Sequence, residues 1–205
     1  MKKLEKLIVA SHNPAKVKRY YQLLTKIAVR VFGLADLEIK EKPREDGQTA
    51  EANAEIKAKF YSQKCHLPVF AEDEALYVDF LPEDQQPGVH IRRIDGKTEV
   101  DDDELFAYWE KIINSVSRSK RTGHWHIAYT FLIPDKEAKT FAIDWPIVFF
   151  SPPSGIRIPG WPISSLAGPP EFGKPHSELT KKEKWFRSQK NHRLILAKFK
   201  ELLAT

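Results

Sequence analysis

The sequence predicts an α/β fold, and two observations carry that prediction. Near the N-terminus short apolar runs alternate with helical periodicity: Lys6 to Ala10, then Val17, Tyr20, Tyr21 and Leu24 at helical spacing, then Ala28 to Phe32, then an Ala-, Glu- and Lys-rich segment from Thr49 to Cys65. Later, Trp125 to Ile133 and Thr140 to Phe150 read as two strands around Pro134-Asp135-Lys136-Glu137, forming an antiparallel hairpin. With 205 residues and 41% hydrophobic content, the chain can bury a sizeable core as one domain, or as one domain with a lobe.

In chain order, Lys6 to Ala10 is a buried strand, broken by Ser11-His12-Asn13-Pro14. Pro14 suits the first turn of a helix, where its missing N–H costs nothing. Ser11 to Lys16 therefore lies on a strand-to-helix turn. Free N–H groups and the positive dipole end at such a turn bind phosphate. Ser11 and Asn13 add polar side chains and Lys16 a charge; the plainer reading is an N-cap, Ser or Asn, beside an exposed lysine. After the strand at Ala28 to Phe32, Glu41 to Gln48 is a polar loop with Pro43 and Gly47, and Thr49 can cap the next helix. On that helix Asn53, Ile56, Lys57 and Phe60 share a face. A buried Lys57 needs an anionic partner; the alternative is a lysine snorkelling at the edge.

Leu67 to Asp79 is the most informative stretch. Two short apolar runs, Leu67 to Ala71 and Ala75 to Val78, read as strands flanking Glu72-Asp73-Glu74. Three adjacent carboxylates repel unless something positive sits nearby, and a divalent cation or a cationic substrate would relieve that repulsion; the alternative is a solvated acidic turn. Pro82 to Gly88 is turn-rich, and His90 to Arg93 adds positive charge. Asp101 to Ser117 reads as a helix with acids in its first turn and Leu105, Tyr108, Trp109, Ile112 and Ile113 on one face. Ser151 to Pro175 is too rich in Pro and Gly for long regular structure. It is a mobile loop or a binding loop, with Trp161 as a stacking face. The chain closes with a segment from Ser177 to Arg187, capped by Ser177 or Thr180, and a separate helix from Asn191 to Leu202. The apolar face of that last helix is Leu194, Ile195, Phe199 and Leu202, and Asn191-His192-Arg193 stands at its anion-friendly N-terminus.

Composition narrows the class. The balance of 33 Lys and Arg against 28 Asp and Glu, net +5, suits polyanionic partners such as nucleotides. One cysteine excludes a disulfide framework. Leu7 to Ala10 is too short for a signal peptide or a membrane span, so a soluble, cytoplasmic protein without membrane attachment is expected. The charge signs are interspersed, so no stable nucleic acid complex is expected.

Taken in order, these pieces resemble the inosine triphosphate pyrophosphatase family, house-cleaning hydrolases that cut aberrant purine nucleoside triphosphates to monophosphate and pyrophosphate. The resemblance runs from about Lys6 to Leu202. It implies one nucleoside triphosphate pyrophosphatase-like domain over residues 1–205, a central mixed, twisted sheet with flanking helices, and two lobes around a nucleotide-binding cleft. It also implies Mg²⁺ and a homodimer. Ser11, Asn13 and Lys16 in SHNPAK look like the family's phosphate-binding turn. Glu45 in EDG looks like its metal-binding acid. Asn53 and Lys57 in ANAEIKA match its Asn-Ala pair and phosphate-contacting lysine. Glu72-Asp73 match its paired acids, which makes Asp73 the metal ligand or general base and Glu72 an outer or alternative ligand. Pro87-Gly88 and Arg93 match a Pro-Gly followed by an arginine. Lys184 matches a substrate-contacting lysine, and His192-Arg193 match a Ser-His-Arg motif with Asn191 in place of Ser. On this reading Arg93, Lys184, His192 and Arg193 close over the nucleotide.

The chain departs from the family at three places. Glu74 and Ala75 stand where a small residue and then Gly or Cys are usual. Ile158-Pro159-Gly160-Trp161-Pro162 stands for an aromatic-Gly-aromatic-Asp-Pro loop that reads the base, without the acid. Ala52 replaces an acid before Asn53. The expected activity is therefore metal-dependent hydrolysis of inosine- or xanthosine-type triphosphates. The alternatives are a related pyrophosphatase with another base choice and a non-catalytic nucleotide-binding relative.

Overall fold

A computed structural model describes residues 3–94, 96–97 and 99–204, the side chains of 202–204 excepted. Its strands are β1 (Leu4–Val9), β2 (Ala28–Gly33), β3 (Val69–Val78), β4 (Thr122–Leu132), β5 (Lys139–Phe149) and β6 (Ala167–Gly168). Its helices are α1 (Pro14–Leu24), α2 (Ala50–Cys65), α3 (Asp102–Ser115) and α4 (Lys181–Ala204). The strands form one sheet in the order β2-β1-β3-β4-β5-β6. β1 runs parallel to β2 and β3, whereas β6 runs antiparallel to β5, so the sheet is mixed, as expected. β4 and β5 are neighbours, joined through a turn in which Asp135 takes a left-handed φ of 62°.

The chain divides into two compact units. The first holds the chain through Asp73, then Ile127–Ala142 and the segment from Lys190 on; the second holds Glu74–His126 and Ile143–Gln189. In the first unit, Asn13 caps α1 by accepting the Ala15 N–H at 2.9 Å, with Pro14 in the first turn. Thr49 caps α2 through the Ala52 N–H at 3.2 Å, and His66 ends it in the left-handed region. The core gathers Ile8, Leu34, Ala58, Tyr61, Val69 and Ala71 in one cluster. Beside it, the rings of Tyr20, Phe70, Tyr129, Phe141 and Phe199 pack against one another. In the second unit, Asp101 caps α3 through the N–H groups of Asp103 and Glu104. The buried face of α3 packs with Leu76, Val78, Ile147 and Phe149, Trp109 lying parallel to the Phe149 ring at 6.1 Å. Phe106, which the spacing did not single out, is part of that face. The segment from Ser151 to Pro175 holds only short 3₁₀ turns and β6, as its Pro and Gly content requires.

Several expectations change. The runs on either side of Glu72-Asp73-Glu74 are one ten-residue strand, β3, with the acids in its middle. Extended backbone sends Glu72 and Asp73 to opposite faces, which separates their charges and removes the need for a turn. The expected last two elements are one helix, α4, because no Gly or Pro interrupts the chain after Pro175. Of the two cap candidates Thr180 serves: its Oγ accepts the Glu183 N–H at 3.2 Å, while Glu183 accepts the Thr180 N–H at 2.7 Å. Asn191-His192-Arg193 is consequently mid-helix and has no helix N-terminus to offer. Ile195 and Phe199 are buried as expected, but Leu194 is 46% exposed; the Leu202 side chain lies outside the described ones. Tyr21, at 50% exposure, also leaves the α1 face assigned to it. Among the described residues, no helix is long and apolar enough to cross a membrane.

Candidate functional site

The β1–α1 turn is self-supporting. Ser11 Oγ accepts the Asn13 N–H at 3.1 Å and Asn13 Oδ1 accepts that of Ala15, so both side chains shape the turn itself. No acidic residue occupies the first turn of α1 to quench its positive end. His12 Nε2 lies 3.2 Å from the Glu41 carbonyl and 3.1 Å from the Tyr61 hydroxyl, which ties the turn to the loop that carries Glu45. One helical turn in from the cap, Lys16 Nζ stands 2.5 Å from Glu72 Oε1.

Lys57 is buried, and its partner is anionic, as burial of a lysine demands. Its ammonium sits between Asp73 Oδ1 at 2.6 Å and Glu45 Oε2 at 3.0 Å. Asn53, one turn earlier on α2, accepts the Gly47 N–H at 2.9 Å and so closes the loop that carries Glu45. That loop needs a glycine: a Cβ at Gly47 would stand 2.6 Å from Asn53 Oδ1 and 2.8 Å from the Ala52 methyl.

The two adjacent acids differ in state. Burial works to raise the Glu72 carboxyl, but Lys16 first, then Arg19 and Lys57, hold it below the usual carboxylate range. Burial pushes the Asp73 carboxyl up, against the pull of Lys57 and Lys16. Of the two, Glu72 is the more acidic and Asp73 the more basic carboxyl.

The donor chemistry fits a hard divalent cation. Glu45 and Asp73 turn carboxylate oxygens toward one position, which the Lys57 ammonium fills here; a divalent cation takes that position only when Lys57 turns from the carboxylates to phosphate oxygens. Among the described residues no group of three His, Cys, Asp or Glu side chains could hold a metal by itself. Two carboxylates suit an ion that completes its sphere with water and phosphate oxygens.

The first unit therefore brings together Ser11, Asn13, Lys16, Glu45, Asn53, Lys57, Glu72 and Asp73. It also contains His192 and Arg193. His192 is 4% exposed, its Nε2 is 3.2 Å from the Arg19 carbonyl, and burial lowers its pKa. Arg193 is exposed. Arg93, Trp161 and Lys184 belong to the second unit. There Arg93 lies 3.2 Å from the His90 ring, and Trp161 lies nearly parallel to His176 at 6.4 Å. Asp102 accepts the Gly160 N–H at 2.5 Å and pairs with Arg92 at 2.6 Å, which fastens the start of the Trp161 loop. Lys184 is in the first turn of α4. Sequence reasoning missed Tyr20 and Tyr61 as polar contributors. Tyr20 could have been found from its place one turn after Lys16 on the same helix face.

The sequence pattern that defines the Ham1 family matches residues 7–194. The chain belongs to the Ham1 family. Its resemblance to the inosine triphosphate pyrophosphatase family is thereby borne out. A dITP/XTP pyrophosphatase of Yersinia pseudotuberculosis is 29% identical over 195 residues, covering 94% of this chain and 96% of that protein. The dITP/XTP pyrophosphatase of Bacillus subtilis is 31% identical over 140 residues, 67% of this chain and 68% of the relative. A crystal structure of the nucleoside-triphosphatase / dITP/XTP pyrophosphatase from Mycobacterium abscessus superposes with a TM-score of 0.71 at 26% identity, covering 94% of this chain and 97% of that one. The Staphylococcus aureus Ham1 protein has the same fold, with a TM-score of 0.73 at 22% identity over 96% of this chain and 98% of its own. The first-unit candidate site residues, from Ser11 to Arg193, fall within the Ham1 match.

Proposed function

We propose that this Ham1-family chain hydrolyses noncanonical purine nucleoside triphosphates of the dITP and XTP type to nucleoside monophosphate and pyrophosphate. The observation that carries the reading is the Glu45–Lys57–Asp73 cluster, placed beside a phosphate-ready helix terminus and Lys16. A protein that only sensed nucleotides would need the cations but not two convergent carboxylates.

The residues divide the work. The α1 N-terminus, Lys16 and Lys57 hold the phosphate chain and stabilise charge as it moves onto the departing pyrophosphate. Asp73 accepts the proton of the water that attacks the α-phosphorus, a task helped by burial, which raises its carboxyl pKa. Asn53 keeps Glu45 in place through the Gly47 bond. Mg²⁺, held by Glu45 and Asp73, would neutralise triphosphate charge and polarise the phosphoryl oxygens. Arg93, Trp161, Lys184, His192 and Arg193 keep the substrate-binding roles that the resemblance implies. Of these His192 needs a change of surroundings to reach a ligand, since it is buried against α1. A homodimer and a cytoplasmic location complete the proposal.

A second reading changes only the base. Trp161, beside His176, either replaces the family's loop acid or is its second aromatic with the acid lost, and both alternatives favour stacking over hydrogen-bonded base selection. The test is a release assay with Mg²⁺ over ordinary and modified triphosphates, detecting monophosphate and pyrophosphate separately. Preferential cutting of dITP and XTP is expected, and Asp73→Asn should abolish it without unfolding the protein. Turnover of a different base would select the second reading. No cutting of any triphosphate, or full activity of Asp73→Asn, would refute the mechanism.

A further inference from the structure

Tyr20 has chemistry that the reaction above does not use. The residue is 2% exposed, with its ring edge-on to Phe70 at 5.0 Å and to Tyr129 at 6.1 Å, so it cannot swing. Its hydroxyl donates to Glu72 Oε2 at 3.1 Å. Glu72, itself 4% exposed, turns its other oxygen to Lys16 Nζ at 2.5 Å. Lys16 and Tyr20 are four residues apart on α1, so their polar ends reach the same carboxylate from the same helix face.

We propose that Tyr20 and Glu72 form a fixed anchor that aims Lys16 at the outer phosphates of the substrate, which makes Tyr20 a positioning residue for phosphate binding. The proposal rests on the phosphate-holding role given to Lys16 above. If packing alone were needed, phenylalanine would fill the same space. The hydroxyl adds a bond that fixes the carboxylate plane and leaves Oε1 directed at Lys16. The lysine stem is flexible, and a ligand would otherwise have to order it on binding. The pairing does not close the site, because the Lys16 side chain keeps 18% exposure and an ammonium carries three donors. The geometry also reassigns Glu72. Both its oxygens face α1 side chains, so it serves Lys16 and not the Glu45–Asp73 cation position.

The test is a double-mutant cycle read by calorimetric binding of inorganic tripolyphosphate with Mg²⁺, which needs neither a base nor turnover. Tyr20→Phe should weaken binding roughly three- to tenfold, the scale of one ordinary hydrogen bond, because the variant loosens Lys16 without removing its charge. Lys16→Met should weaken it further. The double variant should bind no worse than Lys16→Met alone, because Tyr20 acts only through Lys16. Glu72→Gln should show the same non-additivity, which serves as the readout if Tyr20→Phe fails to fold. Additive losses would make Tyr20 merely structural and overturn the proposal, as would unchanged binding by Tyr20→Phe or no binding by the wild type. A non-additive cycle in a protein that fails to cut dITP would keep the anchor and reject the hydrolase reading.

Discussion

Removing the ammonium between Glu45 and Asp73 is the sharpest perturbation of this structure. Lys57→Met keeps the length and apolar stem of the side chain and deletes the charge. At 2.6 Å, and with an effective dielectric of about 20, the gross attraction to Asp73 is about 6 kcal/mol, most of it offset by desolvation of both groups. The cost of the variant comes from what it leaves behind, a buried carboxylate without its bonded counter-charge and with only the weaker pull of Lys16. For fully buried pairs that costs about 3–5 kcal/mol; the 15% exposure of the Asp73 side chain places this site near the lower end, at about 3 kcal/mol. Glu45, at 40% exposure, is screened by water and contributes little. For a chain of this length the loss corresponds to a fall in Tm of roughly 6–12 °C. The deficit should depend on pH in a set direction. The folded-state pKa of Asp73 is raised above its unfolded value, and more so without Lys57. The cost is therefore complete at neutral pH and relieved as pH falls through that folded-state value. Urea unfolding of both proteins across that range measures it, with unchanged m-values required. Adding Mg²⁺ should recover part of the loss at neutral pH, by supplying the missing cation. Equal stability of variant and wild type at neutral pH, or a deficit that grows in acid, would refute the reasoning.

Two further outcomes follow from the same unit and from α4. Gly47→Ala pushes a methyl against Asn53 Oδ1 and Ala52, so the loop carrying Glu45 should shift at a cost of about 1–3 kcal/mol; turnover should fall more than stability, and a fully active, equally stable variant would show that the loop position is unimportant. Glu183 is held at a pKa of about 2, first by the hydrogen bond from Lys174 and then by those from Thr180. Because this folded-state value is depressed, the carboxylate's support of the α4 N-terminus is complete above the unfolded value of 4.5 and is lost as pH falls toward about 2. A carboxyl-resolved NMR titration should find that midpoint, and a midpoint near 4.5 would remove Glu183 from the cap.

What the sequence by itself determined was mostly local. Asn13-Pro14 and Thr49 start α1 and α2 because a short polar side chain reaches N–H groups only two or three residues ahead, within one spacing of the chain. The strands near the N-terminus, the hairpin segments and the irregular stretch after Ser151 follow from apolar runs and from Pro and Gly, again over short spans. The order of the motifs sufficed to name the family, since spacing along the chain needs no folding to read. The tertiary structure alone decided the pairings. Lys16 meets Glu72 across 56 positions and Lys57 meets Asp73 across 16, contacts that exist only because β3 lies beside β1 and sends its two acids to opposite faces. The same neighbourhood keeps Glu72-Asp73-Glu74 extended within one strand, where two apolar runs around three acids also allowed a solvated turn. It also gives Tyr20 a polar task and carries α4 unbroken through Asn191, which buries His192 against α1. Helix propensity and side-chain type are properties of a few neighbouring residues, whereas the partner of a buried charge is chosen by the packing of elements far apart in the chain.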